Sequence, residues 1–196
     1  MLRYIIMMYV TLVPTILAGI AVMLWCKLPV MKSLARPVDG GLNFLDGRRI
    51  LGDNKTWKGL FGYVLFNVIF SVIWGLVCTN ETLLGLNFFY QGHENTVLFN
   101  ILIGFLLGLG YSLFELPNSF LKRRLNITPG KTVSGFKKSF FIFLDQADSV
   151  FGVALVVWMF YPLGILMYAA YVLVGAFTHL LLNMMLYYMK LRQNPV

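Results

Sequence analysis

The chain has 196 residues, of which 59% are hydrophobic and 12% are charged, and its mean hydropathy is +0.75. Soluble domains carry about 25% charged residues, so this composition excludes an ordinary soluble protein and predicts a membrane protein. The length suits one domain, 1–196. The two cysteines, Cys26 and Cys78, stand in apolar runs without the spacing of zinc ligands, so neither a disulfide framework nor a structural zinc site is expected.

Five apolar stretches are long enough to cross a bilayer as helices, since about 20 apolar residues span a hydrocarbon core of roughly 30 Å. Pro162 and Gly164 divide the long uncharged run after Ser149 into two of these stretches. The predicted fold is therefore an all-α polytopic membrane protein with five transmembrane helices. The expected spans lie near 4–26, 59–80, 95–115, 140–161 and 164–189, and the expected cytoplasmic loops are 27–58 and 116–139.

The basic residues predict the orientation of these spans. All of them except Arg3 fall in the loops 27–58 and 116–139 or close to the chain's last residues. Because basic loops stay in the cytoplasm, we expect the N-terminus outside and the C-terminus in the cytoplasm of a multi-pass protein of the cell membrane. Most acidic residues share the basic side, so an active site is expected there.

The loop 27–58 has a composition suited to phosphate. Between Pro37 and Gly59 it holds five glycines, three aspartates and four basic residues, which supply backbone amides and charged hydrogen-bond partners. Lys55 and Thr56 also precede a helix N-terminus, which favours anions. In an alternative interpretation Thr56 only caps the helix and Trp57 only anchors the interface. The candidate substrate contacts in this loop are Asp39, Arg48, Arg49, Asp53, Lys55, Thr56 and Trp57.

The end of the third span carries a second group of polar residues. If the helix continues through Pro117, then Glu115, Ser119 and Lys122 are spaced i, i+4 and i+7 and share one face. A carboxylate, a hydroxyl and an ammonium would then point the same way. In the alternative the helix ends here and its basic residues merely extend to the interface.

Asp145 and Asp148 form an i, i+3 pair at the start of the fourth span. One charged side chain in a membrane helix costs roughly 2.5 to 3.5 kcal/mol, so two neighbouring carboxylates need compensation. A divalent cation would provide it, and oxygen ligands favour Mg²⁺, with Mn²⁺ as the second choice. Glu115 is a candidate third ligand. The alternative is pairing with lysine or arginine from the loops.

Acidic metal ligands, a glycine-rich basic loop and clustered lysines predict a site where a nucleoside triphosphate reacts with a lipid head group. Nucleic acid is not expected, because the loops lack a basic stripe with interleaved aromatic residues. Two further features predict helix contacts. His179 and Asn183 are expected to hydrogen-bond between helices, with a substrate contact as the alternative, and the glycines of the third span are expected to allow close packing, namely Gly104, Gly108 and Gly110.

Five segments, in order along the chain, resemble the CDP-archaeol synthase family, the archaeal-type branch of the membrane CTP:lipid-phosphate cytidylyltransferases. These segments are Asp39-Gly-Gly, Asp46 to Gly59, Ser119 to Arg124, Pro129-Gly, and Leu144 to Asp148. The resemblance implies a reaction of CTP with a glycerol phosphate diether, or a related phosphatidate, that gives a CDP-lipid and pyrophosphate for phospholipid biosynthesis.

The resemblance also implies roles for single residues. Asp145 and Asp148 match the acidic metal-binding motif, and with Lys122 they are the predicted catalytic residues. Nucleotide or phosphate contacts are implied for Lys55, Thr56, Trp57, Ser119, Lys122 and Arg123.

In one departure from the family's pattern, Phe114-Glu115 stands where the branch usually has Gly-Asp, which makes the carboxylate side chain one methylene longer. The implied partners are CTP and a membrane lipid phosphate, and a homodimer is compatible with the sequence. Two alternatives stay open: a lipid-phosphate transferase that uses another nucleotide, and a non-catalytic lipid-binding or transport protein.

Overall fold

A computed structural model describes residues 2–128 and 138–190, and this part of the chain is helical. Each of five long helices has the length and apolarity needed to cross a membrane, as the hydropathy pattern predicts. They are α1 (Leu2–Lys27), α2 (Trp57–Val77), α4 (Val97–Arg124), α5 (Lys138–Phe160) and α6 (Gly164–Tyr188). A short helix, α3 (Glu81–Leu86), lies between α2 and α4.

Helix α4 is longer than the expected span 95–115. It continues through Pro117 to Arg124, so the expected loop 116–139 begins with two and a half turns of helix. Proline is tolerated there because neighbouring groups can satisfy the freed backbone carbonyl in a membrane bundle. At 1.5 Å per residue the helix is about 42 Å long, so its last turns extend beyond the apolar core. Residues 129–137 of that expected loop lie outside the described residues.

Glycines on α4 bring it into close contact with both of its neighbours. A Cβ at Gly104 would lie 2.6 Å from Val68 Cα of α2, and a Cβ at Gly110 would lie 2.9 Å from the carbonyl oxygen of Gly152 of α5. At Gly108 the corresponding distance to Val64 Cα is 2.5 Å. The prediction that these glycines serve close packing is confirmed.

The spanning helices form an open arrangement. Each packs mainly on the next in the order α1, α2, α4, α5, α6, while α1 and α6 have almost no backbone contact with each other. The C-terminal ends of α1, α4 and α6 and the N-terminal ends of α2 and α5 lie at one end of the bundle, which we call the basic end.

The opposite end is covered by the segment between α2 and α4, which the sequence did not predict to be structured. After α3 the chain forms a 3₁₀ turn, Phe88–Gln91. The Phe88 side chain is completely buried beside Tyr161 and Tyr171, and its N–H donates to Thr11 Oγ1 at 3.0 Å. This turn therefore contacts α1, α6 and the residue that follows α5, on the side of the bundle away from the basic end.

The distribution of basic residues makes the orientation testable by cysteine labelling. In a chain with Cys26→Ser and Cys78→Ala, we expect a cysteine at position 93 to react with an impermeant maleimide from outside intact cells. A cysteine at position 45, where Leu45 is 96% exposed, should react only after permeabilisation. The reverse labelling pattern would contradict both the orientation and a cytoplasmic active site.

Candidate active site

A cavity of about 820 Å³ opens at the basic end and extends into the bundle. Its walls come from α1, α4, α5 and α6, with Lys55 from the loop that precedes α2. It gathers most of the charged residues singled out on α4 and α5. Of the predicted site residues, those lining it are Lys55, Glu115, Ser119, Lys122, Arg123, Asp145 and Asp148.

The acidic pair of α5 faces the end of α4. The Asn118 amide nitrogen donates to both carboxylates, at 2.8 Å to Asp145 and 2.7 Å to Asp148. Lys122 Nζ lies 2.5 Å from the Asp145 carboxylate. The two aspartates are thus held together by α4, and Asp145 has the lysine partner that the alternative interpretation expected.

Asp148 differs from its neighbour because it forms no ion pair among the described residues, although the Lys55 ammonium attracts it from a greater distance. Its side chain accepts from Asn118 and from the N–H of Ser149 at 2.6 Å. The residue is 8% exposed. Two neutral donors offset only part of the cost of burying a carboxylate, so this position favours a bound cation.

Glu115 forms an ion pair with Lys55, which joins α4 to the loop before α2. Burial lowers the pKa of Lys55, but the adjacent carboxylate outweighs burial and leaves this pKa above its ordinary value. Lys55 therefore remains an ammonium near neutral pH. Since Glu115, Ser119 and Lys122 all line the cavity, they share a face as the i, i+4, i+7 spacing predicts.

Arg123 is a buried cation that faces the same cavity. It is 8% exposed and takes part in no ion pair within the described ranges. Its Nε and Nη1 atoms are buried without a hydrogen-bond partner there. A guanidinium in this state is costly unless an anion binds to it.

The predicted contacts Asp39, Arg49 and Asp53 bind one another and do not line the large cavity. Arg49 lies 2.8 Å from Asp39 and 2.7 Å from Asp53, and Asp39 also accepts the N–H of Leu51 at 2.8 Å. Partial burial raises the pKa of Asp39, but the hydrogen bonds from Leu51 and Arg49 outweigh it and hold this pKa below its usual value. In this structure the three residues shape the loop.

Arg48, Thr56 and Trp57 also lie outside the large cavity. Arg48 donates to the carbonyl oxygen of Arg124. Thr56 caps α2 by accepting the N–H of Gly59 at 3.2 Å, and Trp57 stacks on Phe61 with ring centroids 5.7 Å apart. For Thr56 and Trp57 these contacts match the alternative interpretation of a helix cap and an interfacial anchor.

Arg123 also lines a second cavity of about 260 Å³. The loop residues that line this second cavity with Arg123 do not line the large cavity. The predicted substrate contacts that line it are Arg48, Arg49 and Asp53.

The cavity supplies oxygen ligands for a divalent cation. Among residues 2–128 and 138–190 no three His, Cys, Asp or Glu side chains converge on one point, and Asp145 and Glu115 each form an ion pair with a lysine. The Asn118 amide oxygen, however, is buried without a partner next to the acidic pair. Two aspartates and an amide oxygen suit Mg²⁺. Asn118 was not predicted from the sequence, because a neutral amide beside Ser119 gives no charge signal.

The polar pair on α6, His179 and Asn183, also lines the large cavity and hydrogen-bonds to α5. His179 Nδ1 lies 3.2 Å from the carbonyl oxygen of Gln146, and Asn183 donates to the side-chain oxygen of Gln146 at 2.7 Å. Gln146 lies between the two aspartates in sequence. The prediction that His179 and Asn183 hydrogen-bond between helices is confirmed.

The structural role of Asp39 can be tested at the amide of Leu51. We expect Asp39→Asn to accelerate hydrogen exchange of this amide, because the substitution removes the charged acceptor. In the wild type the protection should be complete above about pH 4, the ordinary aspartate pKa, and fall as the pH drops through the lowered pKa of Asp39.

Asp53→Asn is the matched control, since Asp53 also pairs with Arg49 but its side chain is 69% exposed, against 2% for Asp39. An exposed pair contributes little, so exchange should hardly change. Equal effects of the two substitutions would contradict the role given to Asp39.

Comparison with known proteins agrees with the resemblance in the motifs. Residues 2–196 match the family described as CarS-like, CDP-archaeol synthase. The CDP-archaeol synthase of Methanocaldococcus jannaschii is 32% identical over 151 residues, 77% of this chain and 78% of that protein. The CDP-archaeol synthase of Thermofilum pendens is 32% identical over 183 residues, 93% of this chain and 76% of that protein.

The fold agrees as well. A solved structure of an intramembrane enzyme for archaeal membrane lipid biosynthesis superimposes with a TM-score of 0.59 and 25% identity. The match covers 89% of this chain and 91% of that chain. The chain therefore belongs to the CDP-archaeol synthase family.

Proposed function

We propose that this protein is a CTP-dependent cytidylyltransferase that converts a membrane lipid phosphate to a CDP-lipid and pyrophosphate. The relatives' name points to archaeol, a diether lipid, so a glycerol phosphate diether is the proposed substrate. The cavity's position, between membrane helices and open at the basic end, gives access to both a lipid and a water-soluble nucleotide.

One observation carries the proposal: two buried charges of opposite sign line one cavity and do not pair with each other. Neither Asp148 nor Arg123 forms an ion pair among the described residues. Either charge alone would be costly inside a helix bundle. A divalent cation bound together with a polyphosphate satisfies both, which is the ionic composition of a magnesium nucleotide.

The residues for the cation are Asp145 and Asp148, with Glu115 and the Asn118 amide oxygen as further oxygen ligands. When bound, Mg²⁺ would neutralise phosphate charge and favour the departure of pyrophosphate. We propose Mg²⁺ as the physiological ion and Mn²⁺ as a substitute.

The phosphate ligands in this proposal are Lys55, Lys122 and Arg123, with Ser119 as a nearby hydroxyl. Each lysine forms an ion pair with a carboxylate, so its positive charge is compensated within the protein before substrate binds. Arg123 presents free N–H donors, and a guanidinium can bind two phosphate oxygens at once. Together these groups stabilise the negative charge that develops on the leaving pyrophosphate.

The reaction itself needs little proton transfer. An oxygen of the lipid phosphate attacks the α-phosphorus of CTP, a new phosphorus–oxygen bond forms, and the bond to the β-phosphate bridge breaks. The second pKa of a phosphate monoester is about 6, so the attacking group is largely dianionic at neutral pH. The chain's own contribution is to orient the two substrates and to hold their charges.

The test is pyrophosphate release by purified protein given CTP, UTP, ATP or GTP together with a diether or a diester lipid phosphate. We expect turnover with CTP and the diether, formation of the CDP-lipid, and loss of activity with EDTA that Mg²⁺ restores. Preference for another nucleotide would identify a different transferase. Lipid binding without turnover would contradict the enzymatic proposal.

The substitution Asp148→Asn distinguishes a metal-binding role of Asp148 from a structural role, because it preserves the shape of the side chain and removes one negative charge. If Asp148 holds the cation, turnover should fall about a hundredfold or more, the equivalent of roughly 3 kcal/mol of transition-state stabilisation. The measurement is CTP turnover against Mg²⁺ concentration. Yield and detergent stability should stay normal, since loss of an unpaired buried charge does not destabilise the bundle.

Glu81→Gln is the control, because it removes an exposed carboxylate at the opposite end of the bundle. It should leave both turnover and metal dependence unchanged. Wild-type activity of Asp148→Asn with the same Mg²⁺ dependence would refute the assignment of Asp148.

A further inference from the structure

The second cavity lies at the basic end, between the loop before α2 and the end of α4. The charged residues that line it are three arginines and one aspartate, namely Arg48, Arg49, Arg123 and Asp53. It shares Arg123 with the large cavity, but the acidic pair of α5 does not line it. The second cavity is therefore a separate, positively charged space, and one guanidinium is common to the two cavities.

Arg124 holds the two walls of the second cavity together. Its guanidinium donates to the Asp46 carboxylate at 2.6 Å and to the backbone carbonyls of Arg48, at 3.2 Å, and Arg49. It also lies between two phenylalanine rings, 5.0 Å and 4.7 Å from their centroids. These contacts fix the loop on the end of α4, so the arginines of the loop are held beside Arg123.

Two of the arginines that line the second cavity have buried N–H donors without an acceptor. Arg123 is 8% exposed, and its Nε and Nη1 atoms have no hydrogen-bond partner in the described part of the chain. Arg49 binds Asp39 and Asp53 through its terminal nitrogens, while its Nε is buried without a partner there. Residues 129–137 and 191–196 contain no aspartate or glutamate. Since buried donors of this kind are costly, an external oxyanion is the fitting partner.

The electrostatics of the second cavity also favour an anion. Arg49 repels Arg123, and this repulsion is stronger than the attraction between Arg123 and Asp53. The backbone carbonyls of residues 121–124 accept hydrogen bonds from the N–H groups of residues 125–127 and from Arg48, so these acceptors at the end of α4 are already used. Three guanidinium groups and one carboxylate give the lining a net charge of +2, which suits a multiply charged oxyanion.

We propose that the second cavity binds pyrophosphate after it has left the large cavity, and that Arg123 contacts pyrophosphate at both sites. This inference rests on the proposed function, which produces pyrophosphate beside Arg123. With Arg123 common to both cavities, pyrophosphate can move away from the acidic pair of α5 before Arg123 releases it. Inorganic phosphate has the same chemistry and is the alternative source of the oxyanion.

Asn126→Asp tests the site by adding a carboxylate to it. Asn126 lines the second cavity, its side chain is exposed, and its φ of 57° is one that aspartate also tolerates, so the substitution preserves shape. The measurement is calorimetric titration of the purified protein with pyrophosphate, in EDTA and without CTP. We expect the wild type to bind pyrophosphate and the variant to bind it at least about tenfold more weakly, because like charges placed together disfavour binding.

Asn80→Asp is the matched control, since it adds the same charge at the opposite end of the bundle, where Asn80 caps α3 and aspartate can do the same. It should leave the affinity for pyrophosphate unchanged. Thr128 offers a second position in the cavity with an exposed side chain. There Thr128→Glu should weaken binding, and the neutral Thr128→Gln should not.

Lys122→Ala separates the two cavities, because Lys122 lines the large cavity and not the second one. We expect this variant to retain pyrophosphate binding. Loss of binding in Lys122→Ala, or unchanged affinity in Asn126→Asp, would overturn the second site while CTP turnover by the wild type leaves the proposed function intact.

The titration does not depend on activity. Binding that Asn126→Asp weakens and Lys122→Ala retains, in a wild type without CTP turnover, would support the oxyanion site and refute the proposed function. Tighter binding of inorganic phosphate than of pyrophosphate would overturn the assignment of pyrophosphate as the occupant.

Discussion

The cost of burying charge among membrane helices governs the organisation of this protein. A helix that carries a charge into the bundle must meet a partner, and α4 and α5 meet this requirement by bringing Lys122 to Asp145 and Asn118 to both aspartates. Two buried residues, Asp148 and Arg123, form no ion pair in the described part of the chain. A stable fold can retain such charges when a ligand supplies the missing ions, and the proposed magnesium nucleotide would do so for both signs at once.

Close packing around α4 gives these charges their fixed positions. Gly108 lets α2 approach until a Cβ would be 2.5 Å from its backbone, and Gly110 does the same for α5 through Gly152. Because α4 is held on both sides, the residues on its last turns project from a rigid element into the cavity. α1 and α6 have no such close backbone contact with each other, so the bundle is tightly packed around α4 and open between its first and last spanning helices.

The features that could be predicted from the sequence are those that depend on short-range periodicity. Five apolar runs predict the five helices, and the spacing of Glu115, Ser119 and Lys122 predicts their common face, since both follow from helix geometry. The roles of the loop residues depend on partners elsewhere in the fold. Asp39 and Asp53 were predicted to contact substrate, but each forms an ion pair with Arg49. A glycine-rich loop can fold back on itself in this way. Asn118 escaped notice since a neutral amide gives no charge signal.

The pairing of Glu115 explains how the cavity can hold three carboxylates. In the family's usual pattern an aspartate stands here, whereas this chain has a side chain one methylene longer, and its carboxylate reaches Lys55 of the loop before α2. The ion pair offsets the charge of Glu115 near Asp145 and Asp148 and fixes a lysine at the edge of the cavity. Repulsion among the three acids is thereby reduced, and Asn118 bridges the two aspartates. The longer side chain therefore links the loop to α4, and the α5 pair remains the site at which we propose that a cation binds.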